Sequence, residues 1–343
     1  MDNQITKYIL SLMKIKGIGP AFIKKRIDIL KKHQHNIDEF KRSFYDSLSE
    51  KEKEKIDIEK YIEDAAEILQ QCLENNIILI DISNDLYPKN LLELKDPPSV
   101  LYCKGNISLL EKRIIGIIGT RKATELGKKI ANKAGSFFSK DFSIVNGLVD
   151  GIDKYAILNN DRVYSNVIGV ISGGLNFYTT SSKITQDLAK KTLENNGLLI
   201  SESAPNQKED AFSGSKSSRI QSGLADAIIL IQSSIDGGSK YTLNSFKVLE
   251  RVLGIINFNN NEEFNNNEAF SANRLIVKEG LMGLTFMCEK IDQKKVSFNN
   301  EIDTKKTKTK IKIINDKKDY DDLINTTFVK SNVNNNLLDF LEE

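Results

Sequence analysis

Residues 114–158, IIGIIGTRKATELGKKIANKAGSFFSKDFSIVNGLVDGIDKYAIL, carry the pattern that decides the fold. Ile114 to Ile118 is a short apolar strand, Gly119-Thr120-Arg121 a small-residue loop, and Leu126 to Phe138 an amphipathic helix. The cycle repeats with Phe142 to Val145 as strand, Asn146-Gly147-Leu148 as loop and Asp150 to Leu158 as helix. A strand without a polar face has no side to offer water, so it belongs in a parallel sheet covered by helices on both faces. Downstream come Val167 to Ile171 with Ser172-Gly173-Gly174, Gly197 to Ser201, and Asp226 to Ile231. The last of these runs into Asp236-Gly237-Gly238-Ser239 and a helix through Leu249, and Gly254 to Asn257 adds a sixth strand. The fold class expected is α/β, a mostly parallel sheet occupying residues 79–292.

Upstream, residues 1–78 read as a small all-helical module. Ile5, Ile9 and Leu12, then Ile62, Ala66 and Leu69, recur at helical spacing, and the charges from Ser49 to Lys60 read as a solvated helix face. Ile77 to Ile82 is strand-like, and Tyr87-Pro88 and Asp96-Pro97-Pro98 mark an extended, turn-rich connector. At the other end, Asn257 to Glu268 reads as a solvated loop. In residues 293–343 the basic run Lys305, Lys306, Lys308, Lys310, Lys312 reads as a linker, with a short closing helix at Leu337 to Leu341.

Composition narrows the function. The 343 residues hold 49 Lys and Arg against 47 Asp and Glu, a net +2, which excludes condensation of nucleic acid by bulk charge but not a locally basic groove. No apolar stretch approaches the roughly 20 residues of a bilayer span. Met-Asp-Asn-Gln at the start lacks the plan of an export signal, so no membrane partner and a cytoplasmic location are expected. Cys72, Cys103 and Cys288 lie too far apart to suggest a disulfide framework or a zinc site, and no metal is expected.

In an open parallel sheet the ligand crevice lies beyond the carboxyl ends of the strands. Four strands here end in loops of one composition: Gly119-Thr120-Arg121, Asn146-Gly147-Leu148, Ser172-Gly173-Gly174 and Gly237-Gly238-Ser239. Small residues admit close approach, and helix N-termini favour an anion, so the edge predicts a phosphate-bearing ligand. Gly116 and Gly119 do not have dinucleotide-fingerprint spacing, and no Gly-Lys-Ser follows any strand, so no cofactor is expected. The histidines, His33 and His35, lie in the helical module, far in sequence from these loops. Without a base there, and with Glu202 reading as a loop cap, no catalytic residue is expected.

Several ordered motifs resemble the DNA-processing protein A (DprA/Smf) family. They begin with Leu86-Tyr87-Pro88, then Leu94-Lys95-Asp96-Pro97-Pro98-Ser99-Val100-Leu101-Tyr102 and Lys104-Gly105-Asn106. Gly119-Thr120-Arg121 is similar to the family's Gly-Ser/Thr-Arg loop, and Asn146-Gly147-Leu148-Val149-Asp150-Gly151-Ile152-Asp153 to its Ser-Gly-Leu-Ala-Arg-Gly-Ile-Asp. Arg219-Ile220-Gln221-Ser222-Gly223-Leu224, Gly238-Ser239-Lys240-Tyr241-Thr242, Asn273-Arg274-Leu275-Ile276 and Glu279-Gly280 follow in order. The resemblance implies a Rossmann-like domain that binds single-stranded DNA, as a homodimer, protects it and helps load a RecA-type recombinase during DNA uptake or recombination, without chemistry on the DNA.

On this resemblance, Arg121 and Arg219 are the expected phosphate contacts, with the loop positions Gly119, Thr120, Gly147, Gly173, Gly174, Gly238 and Ser239 and the cations Lys154, Lys183 and Lys240. Tyr178 and Phe177 are expected to stack bases, with core packing as the competing reading. The chain is a divergent member: Asp150 replaces an Arg, Ser217 and Ser218 stand where Arg-Asn precedes Arg219, and Thr179 replaces a Pro. In the first module, Met13 to Lys25 resembles a helix-hairpin-helix of a SAM-like domain. Its turn, Gly17-Ile18-Gly19, would present amides to a phosphate beside Lys24 and Lys25. Two other readings stay open, a sensor of a nucleotide-derived small molecule in defence or signalling, and a nucleotide N-glycoside hydrolase.

Overall fold

The computed structural model describes residues 4–33, 36–54, 56–210, 212–289 and 302–339. The first module comprises α1 (Gln4–Met13), α2 (Pro20–Lys24), α3 (Ile27–Lys32), α4 (Ile37–Asp46), α5 (Glu50–Lys53) and α6 (Ile62–Glu74). Tyr8 meets Phe40 and Phe44 edge-on, centroids 5.1 and 5.8 Å away, among the buried Ile9, Leu12 and Ile23. The charged stretch after Ser49 builds less helix than its spacing predicts: α5 is one turn, opened by a capping box in which the Ser49 N–H donates to Glu52. His33 is half-buried between Glu39 and Ser43; His35 lies outside the described residues.

The sheet strands are β1 (Ile78–Asp81), β2 (Val100–Gly105), β3 (Ile114–Gly119), β4 (Ser143–Asn146), β7 (Val167–Val170), β8 (Leu198–Ser201), β9 (Ala227–Gln232), β10 (Val252–Ile256) and β11 (Lys310–Ile314). Between β4 and β7 the chain makes a small ribbon of β5 (Leu158–Asn159) and β6 (Arg162–Val163). The sheet order is β1-β2-β8-β7-β4-β3-β9-β10-β11. From β8 across to β11 every pairing is parallel, and β2 lies antiparallel between β1 and β8. Every residue of β4, β7, β8, β9 and β10 is buried, as a strand between two helical layers requires.

The covering helices are α7 (Glu125–Phe138), α8 (Ile152–Ile157), α9 (Phe177–Thr180), α10 (Lys183–Glu194), α11 (Ser213–Leu224), α12 (Ser239–Phe246), α13 (Glu262–Asn266), α14 (Ser271–Glu279), α15 (Leu281–Glu289) and α16 (Lys318–Asp339). Buried apolar residues run without a break from Ile5 in α1 through the sheet to Leu323 in α16. Two polar bonds fasten the helical module to it: Thr6 donates to Asp81 and the Lys24 ammonium to the Leu94 carbonyl, both at 2.6 Å.

Three further segments differ from their sequence reading. The turn-rich connector contains β2, because Val100 to Cys103 is buried at every position, and the Tyr87 hydroxyl ties the preceding turn to the Pro98 carbonyl at 2.7 Å. The lysine run is not a linker throughout: from Lys310 its Lys-Ile alternation has the period of a half-buried strand, and β11 pairs with β10, with lysines along the sheet's edge. Tyr320 and Leu323 of α16 then pack down, Tyr320 meeting Phe138 at 5.1 Å. The Asn-rich segment folds as α13, capped by Asn261 and anchored by the buried Phe264. The closing helix expected at Leu337 is the end of α16, and residues 340–343 lie outside the described residues.

Gly135 sits inside α7 where a methyl group would lie 1.8 Å from the Ala156 carbonyl oxygen of α8. Alanine in a helix interior ordinarily gains about 1 kcal/mol over glycine. Here the two helices would have to part, so Gly135→Ala should instead cost about 1–3 kcal/mol of unfolding free energy in urea titration. A raised urea midpoint would contradict this packing.

Candidate functional site

A crevice of about 720 Å³ opens at the carboxyl rim of the sheet, where β3 lies between β4 and β9. Its walls come from the loops after β3, β4, β7 and β9 and from helices α11 and α12.

The loops are locked to one another before any ligand is considered. Gln232, at the end of β9, is buried, and both ends of its side-chain amide engage Thr124, the N-cap of α7. Its backbone carbonyl accepts from the Thr120 N–H at 2.8 Å. The Thr120 carbonyl in turn accepts from the Ile152 N–H at 3.0 Å. This approach requires glycine at 151: its φ is +82°, and a methyl group there would lie 2.2 Å from the Thr120 oxygen. In the loop after β4, Asp153 accepts from the Gly147 N–H at 2.8 Å, and Asn146 accepts from the Leu148 N–H and donates to the Asp153 carbonyl. Burial pushes the Asp153 carboxyl up to about 7, against the lowering pull of the Gly147 and Val149 amides and the Arg121 charge.

Of the residues expected from sequence, Gly119, Thr120, Arg121, Gly147, Gly238 and Ser239 line this crevice. Arg121 and its neighbour Lys122 are exposed and in no ion pair among the described residues. Gly173 and Gly174 are spent on protein contacts rather than on a ligand. A methyl on Gly174 would lie 2.0 Å from the Ala204 carbonyl, while the Gly173 and Gly174 carbonyls accept from Ser201 and Thr180. Lys154, Lys183 and Lys240 stand outside the lining, Lys154 and Lys240 near the rings of Tyr155 and Tyr241. Phe177 is buried, so core packing prevails over stacking there, whereas Tyr178 is 62% exposed.

Arg219 is not open to a phosphate. Its guanidinium, mostly buried, meets Glu202 at 2.5 Å and donates to the Asp96 carbonyl at 2.6 Å, with the Asp96 carboxylate at 3.5 Å. The family's entry segment is thereby stapled to α11. Asn273 is likewise a fastener: buried, it bonds the backbone at the ends of β9 and β10. Lys24 is committed to Leu94, while Lys25 is exposed; Gly17 has φ +93° and Gly19 is the extended N-cap of α2.

Sequence reasoning missed two rings of the lining and found Ser239 without showing the state of its hydroxyl. Phe212, 70% exposed, and Tyr241, 39% exposed, line the crevice. Phe212 carries a sequence signal, an aromatic ring among polar residues with no apolar neighbour at helical spacing. The Ser239 hydroxyl, at the start of α12, is buried, belongs to the crevice lining and has no hydrogen-bond partner. Hydroxyls of Thr120, Ser172, Ser217, Ser218 and Thr242 add to a polar lining whose single carboxylate is Asp153.

Residues 78–285 match the family model of DNA recombination-mediator protein A. The chain is 33% identical over 201 residues to the DNA processing protein DprA of Bacillus subtilis and 32% over 162 residues to that of Streptococcus pneumoniae. These alignments cover 57% and 47% of this chain but 65% and 56% of the relatives, less than two thirds of their length. The solved structure of DprA from S. pneumoniae shares the fold, with TM-score 0.61 and 22% identity over 81% of this chain and 93% of that one. DprA from Helicobacter pylori, solved for insight into its single-stranded DNA binding mode, has TM-score 0.50 and 25% identity, covering 58% of this chain and 87% of that one. The chain belongs to this DprA/Smf family.

Two measurements check the site's architecture. Arg219→Ala leaves Glu202 buried without its partner and should cost about 3–5 kcal/mol of stability, part of which returns when Glu202→Gln is added. Asp153 titrates near 4 in the unfolded chain and at about 7 when folded, so the native state holds its proton more tightly and its contribution to stability falls as pH rises between those values. The Tm of Asp153→Asn relative to the parent should therefore rise as pH goes from about 4 to 7 and level off above that. A constant difference across that range contradicts the buried, neutral carboxyl.

Proposed function

We propose that the chain binds single-stranded DNA in the rim crevice and acts in DNA processing without altering the strand chemically. The observation that carries this reading is the meeting of two kinds of group in one crevice: the unpaired Arg121 and Lys122 with the exposed rings of Phe212 and Tyr241. Cations follow the backbone of a strand and rings accept its bases, whatever the sequence. The unpartnered Ser239 hydroxyl, at the N-terminus of α12, supplies a donor where the helix favours an anion. Family membership and the H. pylori relative support DNA as the polymer. On the family resemblance, the reading extends to protection of the strand and its delivery, by a homodimer, to a RecA-type recombinase.

The crevice volume also suits a mononucleotide, as a small-molecule sensor would need. The two readings part on length: affinity for a strand rises with each added nucleotide until the crevice is filled, while a sensor saturates with the monomer.

Fluorescence anisotropy with labelled oligo(dT) over a salt series tests the proposal. Affinity should fall as salt rises, and Arg121→Ala should flatten the log–log slope by about 0.7, as one phosphate contact to a single strand does. Phe212→Ala should cost about 1–3 kcal/mol and leave the slope unchanged, since stacking releases no counterion. Absence of binding at low salt overturns the reading.

A further inference from the structure

The rim crevice has a neighbour. A second cleft of about 630 Å³ lies where the helical module meets the sheet domain, and Ser215 and Ser245 line both clefts. Ser215 is in the first turn of α11 and Ser245 in the last turn of α12, so these two helices form a wall common to both clefts.

The charges of the second cleft favour an anion once those already committed are set aside. Its carboxylates, Asp96 and Glu202, are both held by Arg219. What remains are Lys14, just past the end of α1, and Lys216 on α11, both exposed and in no ion pair among the described residues. Pro20, first residue of α2, also lines the cleft and places the Gly17-Ile18-Gly19 turn beside it. Leu10, Met13 and Ile68 give an apolar wall against which bases can lie. Of the helical module's lysines it is Lys14 that lines this cleft, whereas Lys24, which the motif suggests, is bonded to the Leu94 carbonyl.

We infer that a single strand leaving the rim crevice passes over Ser215 and Ser245 into this cleft, where Lys14 and Lys216 take its phosphates. The inference rests on the proposed reading of the rim crevice and extends it, making the helical module the second half of one binding track. A strand too short to cross the shared wall engages only the crevice, and a longer one engages both.

The full chain and its double variant Lys14→Glu/Lys216→Glu are compared on labelled oligo(dT) of about five and about twenty nucleotides, a span typical of single-strand sites. The variant should lose about tenfold or more on the long strand, keep the short-strand affinity within about twofold, and show a shallower salt slope on the long strand alone. Equal losses on both lengths, or no loss on either, overturn the track. Because both side chains are exposed, the fold should tolerate the change; Lys14→Gln/Lys216→Gln, with an unchanged Tm, gives the same comparison without charge reversal. A parent that binds neither length overturns the crevice reading and this one with it. A parent that binds the short strand, with a variant whose length profile superimposes on it, overturns the track alone.

Discussion

The position of β3 governs the rest of the molecule. It pairs in parallel with β4 on one side and β9 on the other. The chain first steps outward through β4, β7 and β8, then returns to lay β9 against the opposite edge of β3. At such a reversal the loops leaving neighbouring strands diverge, and the gap becomes the crevice. The β3–β9 register shifts between Ile118 and Gly119, at the rim. Past that irregularity the Thr120 amide reaches the Gln232 carbonyl, so the opening is held by backbone bonds rather than by side chains alone. Substitutions along the lining can therefore change what is bound without moving the frame.

The glycine loops take on a different meaning in this setting. Their shared composition reads from sequence as room for a ligand, but most of the space belongs to neighbouring protein atoms. Gly119 faces Ile152, Gly151 faces Thr120 and Gly174 faces Ala204, each too near for a methyl group. Gly238, with nothing within 4 Å of its missing side chain, is the exception among them. The same composition thus packs the rim against protein at these positions and leaves an open approach at Gly238, beside the unpartnered Ser239. A rim already ordered loses little freedom when a ligand settles on it.

Apolar strands were legible because complete burial leaves a continuous hydrophobic run, as in the AIILIQ of β9. The helix α11 was not, since its sequence SGSKSSRIQSGL offers few apolar positions and no amphipathic stripe. It is held instead by bonds invisible to periodicity: Ser222 donates to the Ser218 and Thr242 carbonyls, and Arg251 to the carbonyls of Gly223 and Ala225. Tertiary pairing hid Arg219 in the same way. The motif identifies an arginine, and only the fold shows that Glu202 and Asp96 converge on it from sequence positions 17 and 123 residues away. Arg121 lies at the crevice because its loop follows directly from a strand end, a local feature needing no distant partner.

Arginine and lysine have divided their labour across the chain. Arg26, Arg219, Arg251 and Arg274 turn their guanidinium forks inward onto backbone carbonyls or buried carboxylates, a use that suits a planar group with several fixed donors. The flexible, strongly hydrated lysines stay outside, as Lys14, Lys122 and Lys216 do. A chain with nearly balanced charge thus leaves few cations at the crevice itself, with Arg121 an arginine not turned inward. On the proposed reading, few phosphate contacts imply a shallow dependence on salt and shift the burden of affinity to the exposed rings, since the rim amides of Thr120, Gly147 and Leu148 are already donated within the protein. Asp150, exposed where the family resemblance implies an arginine, puts a negative charge in the loop after β4 and leaves the backbone lock through Gly151 intact.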